Sequence, residues 1–529
     1  MIFRSPYPDV VIPESSVSTY VLKNAQELGP KTALIDGTTG ATLSYGDLAA
    51  AIRRAAGGLA SRGFGKGDVL GIYSPNTLQY PVAFHGVAHA GGVVTTVNPH
   101  YTPGELATQL RDSRARFLVT TGEYLENARE AAEEAGGVDE IFTFDGAPGA
   151  TPWTELTDAP ELAVGPAIDA RRDVVALPYS SGTTGGPKGV MLTHRNLVAN
   201  MVQLDGIDSL SRPVTQDDTL VAVLPFFHIY GLLVIMNWAL ANGARIVVLP
   251  RFDLEGFLGA IGEYGITYMH LVPPILLALA KHPIVDQYDL SSVEAISSGA
   301  APLGEDLARA VEQRLDCVVS QGYGLTETSP VTHHGPNQRK GQCPHASIGP
   351  SLPNTDVKIV DVESGAALGP EERGEVWVRG PQVMLGYLNR PEATAETIDA
   401  EGWLHTGDIG YVDQDGYCYI VDRLKELIKF KGFQVAPAEL ESLLLTHDQI
   451  QDVAVVRSPD PEAGEVPKAF VVADGELSAE DVMSFVAENV SSHKKIRRVE
   501  FVDSIPKSPA GKILRRVLVE REESATRQD

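Results

Sequence analysis

A glycine-rich segment between a predicted strand and a predicted helix constrains the fold of this chain more than any other feature. Residues 180–189 (SSGTTGGPKG) contain four glycines, four hydroxyl side chains and one lysine, Lys188. Glycines let successive backbone N–H groups converge on an anion, and the hydroxyls and the lysine add further donors. Residues 173–178 have the pattern of a buried strand, and residues 193–204 carry apolar side chains at helical spacing. Because α/β proteins bind phosphates at such loops, the segment predicts a polyphosphate site in an α/β fold.

Two alternatives to a phosphate site exist for this segment. A flexible glycine–serine linker is the first, but linkers are not flanked so closely by strand and helix patterns. The ordinary nucleotide-binding P-loop, GxxxxGK followed by Ser or Thr, is the second. Here Lys188 follows Pro187 and precedes Gly189, so no hydroxyl lies beside the lysine to bind magnesium. If ATP binds here, its magnesium ligand must lie elsewhere in the chain.

Length and charge exclude several other classes of protein. The chain has 529 residues, too many for one ordinary core, so we expect two or more domains. Its 43 basic and 69 acidic residues give a formal net charge of −26, which argues against nucleic-acid binding and stable membrane association. Three widely spaced cysteines, no apolar signal segment and no apolar run long enough for a membrane span predict a cytoplasmic protein. The oligomeric state stays open.

Alternating strand and helix patterns run from about residue 42 to residue 248, which predicts βα units with parallel sheets. Two strand-to-helix turns follow at 295–304 and 318–327, each with glycine at the turn. Because ligands bind beyond the carboxyl ends of parallel strands, we expect these turns to share a cleft with the glycine-rich segment.

Further along the chain the pattern changes twice. Residues 348–411 are short strands punctuated by glycine and proline, which predicts a small antiparallel subdomain. Strand and helix patterns then resume and predict a C-terminal α+β domain over residues 422–529, after an N-terminal domain of residues 1–421.

Two acidic residues follow tight turns in this part of the sequence. Glu327 could hold magnesium, which prefers hard oxygen ligands, while Thr326 beside it could donate to a phosphate and Tyr323 could face an adenine. Asp408 could accept both hydroxyls of a ribose. An ordinary turn carboxylate is the alternative for each, and for Asp408 taken alone it is the favoured interpretation.

Basic side chains and one histidine complete the candidates. Arg423 and three lysines between residues 425 and 431 form a basic cluster; such runs are usually solvated, but interleaved glycine and proline indicate a shaped loop here. Lys512 follows a Pro/Gly turn and could reach a neighbouring cleft, although alone it would be a surface lysine. His228 ends an apolar strand, where a core histidine is the simpler interpretation. No zinc-ligand spacing and no GxSxG nucleophile motif occur.

Taken together, these strings resemble the adenylate-forming superfamily of acyl-CoA synthetases, adenylation domains and luciferases, and the likeness is greatest to the 4-coumarate–CoA ligases. The matching segments span nearly the whole chain; in order they are SSGTTGGPKGV, PFFHIYG, SSGAAPLG, QGYGLTE, GEVWVRG, HTGD, VDRLKELIKFKGFQV and PKSPAGKILRR. The resemblance implies an α/β fold with a large N-terminal domain of two βα-type sheets plus a small antiparallel β subdomain, followed by a small mobile α+β C-terminal domain.

The resemblance also implies a reaction. An ATP-dependent, AMP-forming acid–CoA ligase would first join the acid to AMP with release of pyrophosphate, using Mg²⁺, and then transfer the acyl group to coenzyme A. Adenylation that passes the acyl group to a carrier-protein thiol is the nearest alternative. A non-catalytic sensor of nucleotide or acyl-adenylate is a third, which the intact Glu327, Lys512 and Asp408 argue against.

Residue roles come from the same resemblance. Lys512, Glu327, His228 and Thr326 are the implied catalytic residues, with Glu327 as the metal ligand and Lys425 as the domain hinge. The implied ATP and AMP contacts are Ser180, Ser181, Gly182, Thr183, Thr184, Gly185, Lys188, Gly299, Ala300, Ala301, Gln321, Gly322, Tyr323, Gly324, Thr326, Asp408, Arg423 and Gln434. The implied coenzyme A contacts are Lys429, Lys431 and Gly432.

The implied acyl pocket is where the chain departs from the plant ligases. Its residues are Tyr230, Val234, Ser297, Gly322, Pro330 and Val331. Ser297 stands where those ligases often have Met or Lys, and Val234 replaces a small polar residue. We therefore predict an apolar pocket with one phenolic group, Tyr230, suited to an aromatic or other bulky apolar acid.

Overall fold

The computed structural model describes residues 1–180, 187–207, 211–431, 433–460, 462–475, 477–508 and 511–526. Within them the chain forms four sheets. Two large mixed sheets and one antiparallel sheet make up most of the molecule, and a smaller sheet lies in the C-terminal part.

The first large sheet has nine strands and carries the segment on either side of the predicted phosphate loop. In spatial order its strands are Tyr179–Ser180, Lys188–Thr193, Val174–Ala176, Val93–Val97, Val69–Tyr73, Ala115–Thr120, Glu140–Thr143 and Thr151–Pro152, with Gly386–Tyr387 paired to Lys188–Thr193. Neighbours from Val174–Ala176 onward are parallel, whereas Lys188–Thr193 runs antiparallel to both strands beside it on the path. Every residue of Val69–Tyr73 and Val93–Val97 is buried, as expected for parallel strands covered on both faces.

The second large sheet has eight strands. In spatial order these are Val331–His334, Val318–Gly324, Ala295–Ser298, Tyr268–Leu271, Thr219–Ala222, Arg245–Val248, Thr32–Asp36 and Thr42–Ser44. The pairs from Val318–Gly324 through Thr32–Asp36 are parallel, and the two outermost strands are antiparallel.

Helices cover the faces of these two sheets. The α-helices are Val17–Val21, Tyr45–Ser61, Gln79–His89, Pro103–Ser113, Leu125–Ala135, Thr154–Thr157, His194–Asp205, Ala239–Ala241, Leu254–Tyr264, Pro273–Lys281, Glu305–Leu315 and Pro391–Thr397. Tyr230–Trp238 is a π-helix, and Gly122–Tyr124, Pro283–Gln287 and Thr326–Thr328 are 3₁₀ turns. Local sequence explains the helix starts: Thr193 caps His194–Asp205 through a reciprocal pair with Asn196, which fixes the helix after the phosphate loop. Each aliphatic side chain buried between helix and sheet contributes about 1.5–3 kcal/mol to the stability of the fold.

The third sheet is wholly antiparallel and has five strands, in the order Phe3–Arg4, Asp356–Val360, Gly374–Arg379, Leu404–Val412 and Cys418–Arg423. Its last strand extends across residues 421 and 422, where the sequence predicts a domain boundary, so sheet pairing continues to Arg423.

The C-terminal part has its own sheet and core. Its strands, in spatial order, are Phe433–Val435, Ile428–Phe430, Gly464–Ala473 and Ile450–Asp460, with Arg498–Phe501 paired in parallel to Gly464–Ala473. Its helices are Pro437–Leu444, Ala479–Asn489 and Arg515–Thr526, with a 3₁₀ turn at Ser492–Lys494. A cluster that includes Ile428, Leu440 and Val455 forms a core separate from that of the large sheets.

The C-terminal domain rests on the N-terminal part near the helices that flank the second sheet. Lys281 Nζ donates to the carbonyl oxygen of Leu445 at 3.3 Å. A Cβ built on Gly304 would lie 3.8 Å from Cβ of Ser442. In the same orientation, Gly511 beside Lys512 lies next to Val272, the residue that follows the parallel strand Tyr268–Leu271.

The predicted α/β class with two βα-type sheets, an antiparallel subdomain and a small C-terminal α+β domain is confirmed. One turn was predicted wrongly: no regular helix follows Val318–Gly324. The chain makes only the 3₁₀ turn Thr326–Thr328 and returns as the antiparallel strand Val331–His334. Pro330 explains the outcome, because a proline there cannot continue a helix. No helix in the described ranges is long and apolar enough to cross a membrane.

Candidate active site

One cleft of about 1680 Å³ lies between the large sheets, the antiparallel sheet and the C-terminal domain. Side chains from all four contribute to its wall. The residues predicted from sequence that line it are Ser180, Lys188, His228, Tyr230, Val234, Ser297, Gly299, Ala300, Gly322, Tyr323, Gly324, Thr326, Glu327, Pro330, Val331, Asp408, Arg423, Lys425, Lys429, Gln434 and Lys512. Segments that are hundreds of residues apart in sequence therefore meet at a single site.

Two paired antiparallel strands flank the predicted phosphate loop at the cleft. Ser180 and Lys188 are register partners in the antiparallel pair that flanks the loop. The predicted contacts Ser181, Gly182, Thr183, Thr184 and Gly185 lie outside the described residues, as does Gly432. The Lys188 ammonium lies 4.8 Å from the centre of the Tyr387 ring, a cation–π contact.

Glu327 presents its carboxylate between two hydroxyl groups. Ser180 Oγ donates to Glu327 Oε1 at 3.0 Å, and Tyr387 Oη donates to the same oxygen at 2.8 Å. Oε2 accepts no hydrogen bond from a residue that the structure describes. A carboxylate held by one oxygen, half-exposed and facing the phosphate side of the cleft, fits the hard oxygen ligand that magnesium requires.

A glycine brings this carboxylate into place. Gly324 lies where the chain turns back from Val318–Gly324 to Val331–His334, and a Cβ at this position would lie 1.8 Å from the carbonyl oxygen of Pro330. Only glycine therefore allows the tight return that carries Thr326 and Glu327 into the cleft.

Asp408 and Arg423 face each other on neighbouring antiparallel strands. They are register partners, and Arg423 Nε lies 3.4 Å from Asp408 Oδ1. Tyr323 Oη donates to Asp408 Oδ2. Burial raises the pKa of Asp408, and the Arg423 charge and the Tyr323 hydrogen bond oppose that shift. The result is a carboxylate whose orientation is fixed by two side chains from different elements, as a site for a ribose diol needs.

Lys512 lies on a tight turn of the C-terminal domain that reaches this cleft. Ser508 N donates to the Lys512 carbonyl at 2.8 Å, and Ser508 Oγ accepts from Lys512 N at 3.2 Å. Burial lowers the pKa of Lys512 to about 8; the Arg423 charge adds to that effect, while Glu426 and Asp408 oppose it. This ammonium is only partly hydrated, which strengthens its attraction for an anion in the cleft.

His228 is a neutral imidazole at the border of the cleft. Burial lowers its pKa to about 4, and the positive charge of Lys512 contributes to the shift. The backbone N–H of Tyr230 donates to His228 Nδ1 at 3.3 Å, so the ring proton belongs on Nε2. His228 can therefore donate one hydrogen bond from Nε2 without carrying charge.

The predicted acyl pocket is more polar than the sequence indicates. Tyr230 and Val234 line it from the π-helix, and the Tyr230 hydroxyl donates to the Ser297 carbonyl at 3.1 Å. Its wall also contains Tyr268, His270 and His334, which the prediction of an apolar pocket with one phenolic group did not include. His334 Nε2 lies 3.2 Å from Ser297 Oγ, and the buried atoms His270 Nε2 and His334 Nδ1 have no hydrogen-bond partner among the described residues. Two strands of the second large sheet, Tyr268–Leu271 and the antiparallel edge strand Val331–His334, bring these rings together, so their spacing in sequence gave no sign of the pocket.

Three predicted contacts are not brought to the cleft wall. Gln321 is buried beside the loop after Ala295–Ser298, where its side chain accepts from Leu303 N and donates to His345 O. In this structure the side chain therefore holds that loop, and its contact with a nucleotide stays a prediction. Ala301 and Lys431 are also absent from the described lining.

Lys431 lies at the tip of a hairpin on the C-terminal domain, between Ile428–Phe430 and Phe433–Val435. Its neighbours on that surface are aromatic and basic: Phe433 is exposed and stacks on His493 at 4.9 Å, and Arg497 lies 5.0 Å from the Phe430 ring centre. Lys431, Phe433, His493 and Arg497 are not among the residues that line the cleft, although Lys429 and Gln434 of the same hairpin are.

Tyr387 is a site residue that sequence reasoning missed. It contacts both Lys188 and Glu327, yet it belongs to a two-residue strand among loops, far from either in sequence. The motif LGYLNRP carries no pattern for a ligand or a charge, so only the pairing of Gly386–Tyr387 with Lys188–Thr193 reveals its place.

Two known protein families match most of the chain. Residues 21–388 match the family described as AMP-binding enzyme, and residues 439–512 match the AMP-binding enzyme C-terminal domain. Among curated proteins, 4-coumarate–CoA ligase 1 of Petroselinum crispum is 44% identical over 98% of this chain and 96% of its own length. The 4-coumarate–CoA ligase of Pinus taeda is 44% identical over 98% and 97%.

Solved structures agree with that placement. The anthranilate CoA ligase AuaEII in complex with anthranoyl-AMP superposes with a TM-score of 0.90 and 25% identity, covering 97% of this chain and 99% of that one. A benzoate CoA ligase from Burkholderia xenovorans LB400 gives a TM-score of 0.85 and 26% identity, with 95% and 99% covered.

Proposed function

Because this chain belongs to the family of AMP-binding enzymes, we propose that it is an ATP-dependent, AMP-forming ligase that joins an aromatic carboxylic acid to coenzyme A. One observation carries the proposal above all others. Lys512, Glu327 and Asp408 come from three separate parts of the chain and line one cleft. Binding alone does not require a lysine ammonium, a carboxylate suited to a metal ion and a carboxylate suited to a ribose in the same cleft, whereas adenylation requires all three.

In the first half-reaction a carboxylate oxygen of the acid attacks the α-phosphorus of ATP, and the bond from that phosphorus to the bridging oxygen breaks to release pyrophosphate. Lys512 supplies positive charge at the attacked phosphate, where negative charge shifts in the transition state. Lys188 and the donors of the glycine-rich loop hold the departing phosphates. Glu327 would hold a magnesium ion, which offsets phosphate charge when bound. Asp408 and Arg423 fix the ribose, and Tyr323 lies beside the base.

In the second half-reaction the thiolate of coenzyme A attacks the acyl carbonyl carbon, and AMP leaves as the carbon–oxygen bond to its phosphate breaks. The C-terminal domain would turn about a hinge at Lys425, which withdraws Lys512 and brings the hairpin tip with Lys431 and Gly432 into the cleft that Lys429 already lines. An exposed aromatic ring, Phe433, among basic side chains on that hairpin surface suits the polyanionic nucleotide end of coenzyme A. His228 lies where it would contact the acyl-adenylate.

The acid is proposed to be aromatic because the relatives named above act on 4-coumarate, anthranilate and benzoate. Two unpartnered imidazole nitrogens in the pocket, on His270 and His334, favour a ring that carries a polar substituent, since a buried polar group without a partner is unfavourable. A cytoplasmic location is part of the proposal, because a reducing compartment suits three free cysteines.

Pyrophosphate release across a panel of acids, with and without coenzyme A, tests the proposal. The panel pairs benzoates and cinnamates that bear a ring hydroxyl or amino group with the unsubstituted acids and with aliphatic acids of similar volume. We expect acid-dependent pyrophosphate release, turnover only with coenzyme A, and a preference of roughly tenfold or more in kcat/KM for the substituted rings. Release without any thioester would favour transfer to a carrier-protein thiol. No release with any acid would exclude adenylation.

A further inference from the structure

Tyr387 is held rigidly against the strand that leaves the phosphate loop. Val190 and Tyr387 are register partners, and Leu388 N donates to the Gly189 carbonyl at 2.8 Å. The backbone N–H of Tyr387 donates to Thr394 Oγ1 at 2.9 Å, and only 7% of the residue is exposed. The side chain is therefore fixed in one place relative to Lys188, which lies on the same strand as Val190.

The two ends of this side chain contact two groups of opposite charge. Its hydroxyl donates to Glu327 Oε1 at 2.8 Å, and the ring face lies 4.8 Å from Lys188 Nζ. Hydrogen bonds to a carboxylate are among the stronger ones in proteins, and the attraction of an ammonium for a phenol ring adds to them.

The ammonium and the carboxylate do not pair with each other. No carboxylate oxygen of a described residue lies within 4.0 Å of Lys188 Nζ. Because opposite charges attract, two such groups that contact the same side chain would be expected to meet unless something holds them apart. The Tyr387 ring contacts Lys188 while its hydroxyl contacts Glu327, so one side chain restrains both.

We propose that Tyr387 is a positioning residue that keeps Lys188 and Glu327 from forming an ion pair, so that the lysine remains available for phosphate and the glutamate for a divalent cation. This inference rests on the proposed function, because it assumes a nucleotide with a metal ion as the ligand. Ser180 holds Oε1 from the other side, which leaves Oε2 toward the cleft.

The test separates the hydroxyl from the ring. Tyr387→Phe keeps the cation–π contact and removes the hydrogen bond to Glu327; Tyr387→Leu removes both. Tyr419→Phe is the matched control, since it loses a phenol–carboxylate hydrogen bond of 3.0 Å to Asp413 on the antiparallel sheet, away from the cleft. Calorimetric titration with ATP is run in excess Mg²⁺ and again in EDTA, so the readout is binding and not turnover.

For Tyr387→Phe we expect ATP affinity to fall only in Mg²⁺ and the half-saturating Mg²⁺ concentration to rise roughly 10- to 100-fold, as for other residues that orient a metal ligand. The KM for the acid should not change. Tyr387→Leu should lose ATP affinity in both conditions, because Lys188 then pairs with Glu327. Equal loss with and without Mg²⁺ in Tyr387→Phe, or no loss at all, overturns the inference. A wild-type protein that binds no ATP overturns the proposed function and this inference with it.

Discussion

The surroundings of Lys512 set its pKa, and with it the pH at which the cleft loses this positive charge. Lys512 is half-buried near Arg423, and together burial and that charge lower its pKa to about 8, although Glu426 and Asp408 partly compensate. Its ammonium form therefore predominates below pH 8 and is lost as the pH rises above that value. Because this cation is needed only at the attacked phosphate, its loss should slow the first half-reaction and not the second.

We expect kcat/KM for ATP in acid-dependent ATP–pyrophosphate exchange to fall as pH rises through about 8. Lys512→Arg keeps its charge at these pH values, so its profile should lack that fall, at a lower overall rate because a planar guanidinium differs in shape from an ammonium. Lys512→Ala should lose exchange while still forming thioester from supplied acyl-adenylate. An identical alkaline limb in wild type and Lys512→Arg would assign the fall to another group.

Single residues could be predicted from the sequence where they belong to a short motif with a recognisable chemical role. Glu327 follows a glycine turn, and Lys512 follows a Pro/Gly turn, and both line the cleft. Tyr387, His270 and His334 were missed because their roles depend on strand pairing across long stretches of chain. Gln321 shows what a motif leaves out: it lies within one, but its amide bonds backbone groups of Leu303 and His345 in this structure.

Among the elements, the turn that ends at Lys512, before the last helix, contacts the N-terminal domain in this orientation. Gly511 has φ of +74°, and a Cβ added there would lie 3.0 Å from Cγ2 of Val272 on the N-terminal part. A side chain at residue 511 would therefore crowd Val272, just beyond the strand Tyr268–Leu271, and would need a positive φ that L residues rarely adopt. The next residue, Lys512, lines the cleft.

Gly511→Ala should slow acid-dependent pyrophosphate exchange about tenfold, because the new methyl group both strains the backbone and contacts Val272. Adding Val272→Ala should restore part of the rate by removing the contact but not the strain. Thioester formation from supplied acyl-adenylate should change little, since the proposed rotation withdraws the turn in that step. A double variant no faster than Gly511→Ala, with Val272→Ala alone as the control, would show that the contact does not govern the rate.

Element patterns were predictable where burial repeats regularly. The fully buried strands Val69–Tyr73 and Val93–Val97 and the capped helix His194–Asp205 follow directly from apolar spacing. Apolar spacing does not reveal that Tyr230–Trp238 is a π-helix, in which each hydrogen bond reaches back five residues. Trp238 lines the cleft with Val234 and Tyr230, four and eight residues before it.

For the molecule as a whole, one cleft has to serve two half-reactions with different needs. The orientation seen here brings Lys512 into the cleft, while Lys431, at the tip of its hairpin, is not among the residues that line it. This arrangement suits adenylation. The sequence indicated the two domains through a change of pattern, but not their relative orientation, which depends on small contacts such as Lys281 with Leu445.

A disulfide between Gly304→Cys and Ser442→Cys should fix this orientation. A Cβ on Gly304 would lie 3.8 Å from Cβ of Ser442, and disulfide-bonded cysteines have Cβ atoms about 3.8 Å apart. Gly304 belongs to the N-terminal part and Ser442 to the C-terminal helix Pro437–Leu444, so the bond would prevent the rotation between half-reactions. Gly304 has φ of −65°, which any residue adopts, so the substitution itself should be tolerated.

We expect the oxidised double variant to catalyse pyrophosphate exchange at a rate close to that of the reduced protein, and to lose thioester formation until dithiothreitol is added. Each single variant, treated with the same oxidant, controls for the three native cysteines, of which Cys317 and Cys418 are buried. If the cross-linked protein still turns over with coenzyme A at the reduced rate, a single orientation serves both half-reactions and the hinge at Lys425 has no catalytic part. If exchange is lost as well, adenylation itself requires the two domains to separate, and the orientation described here is then only one stage of it.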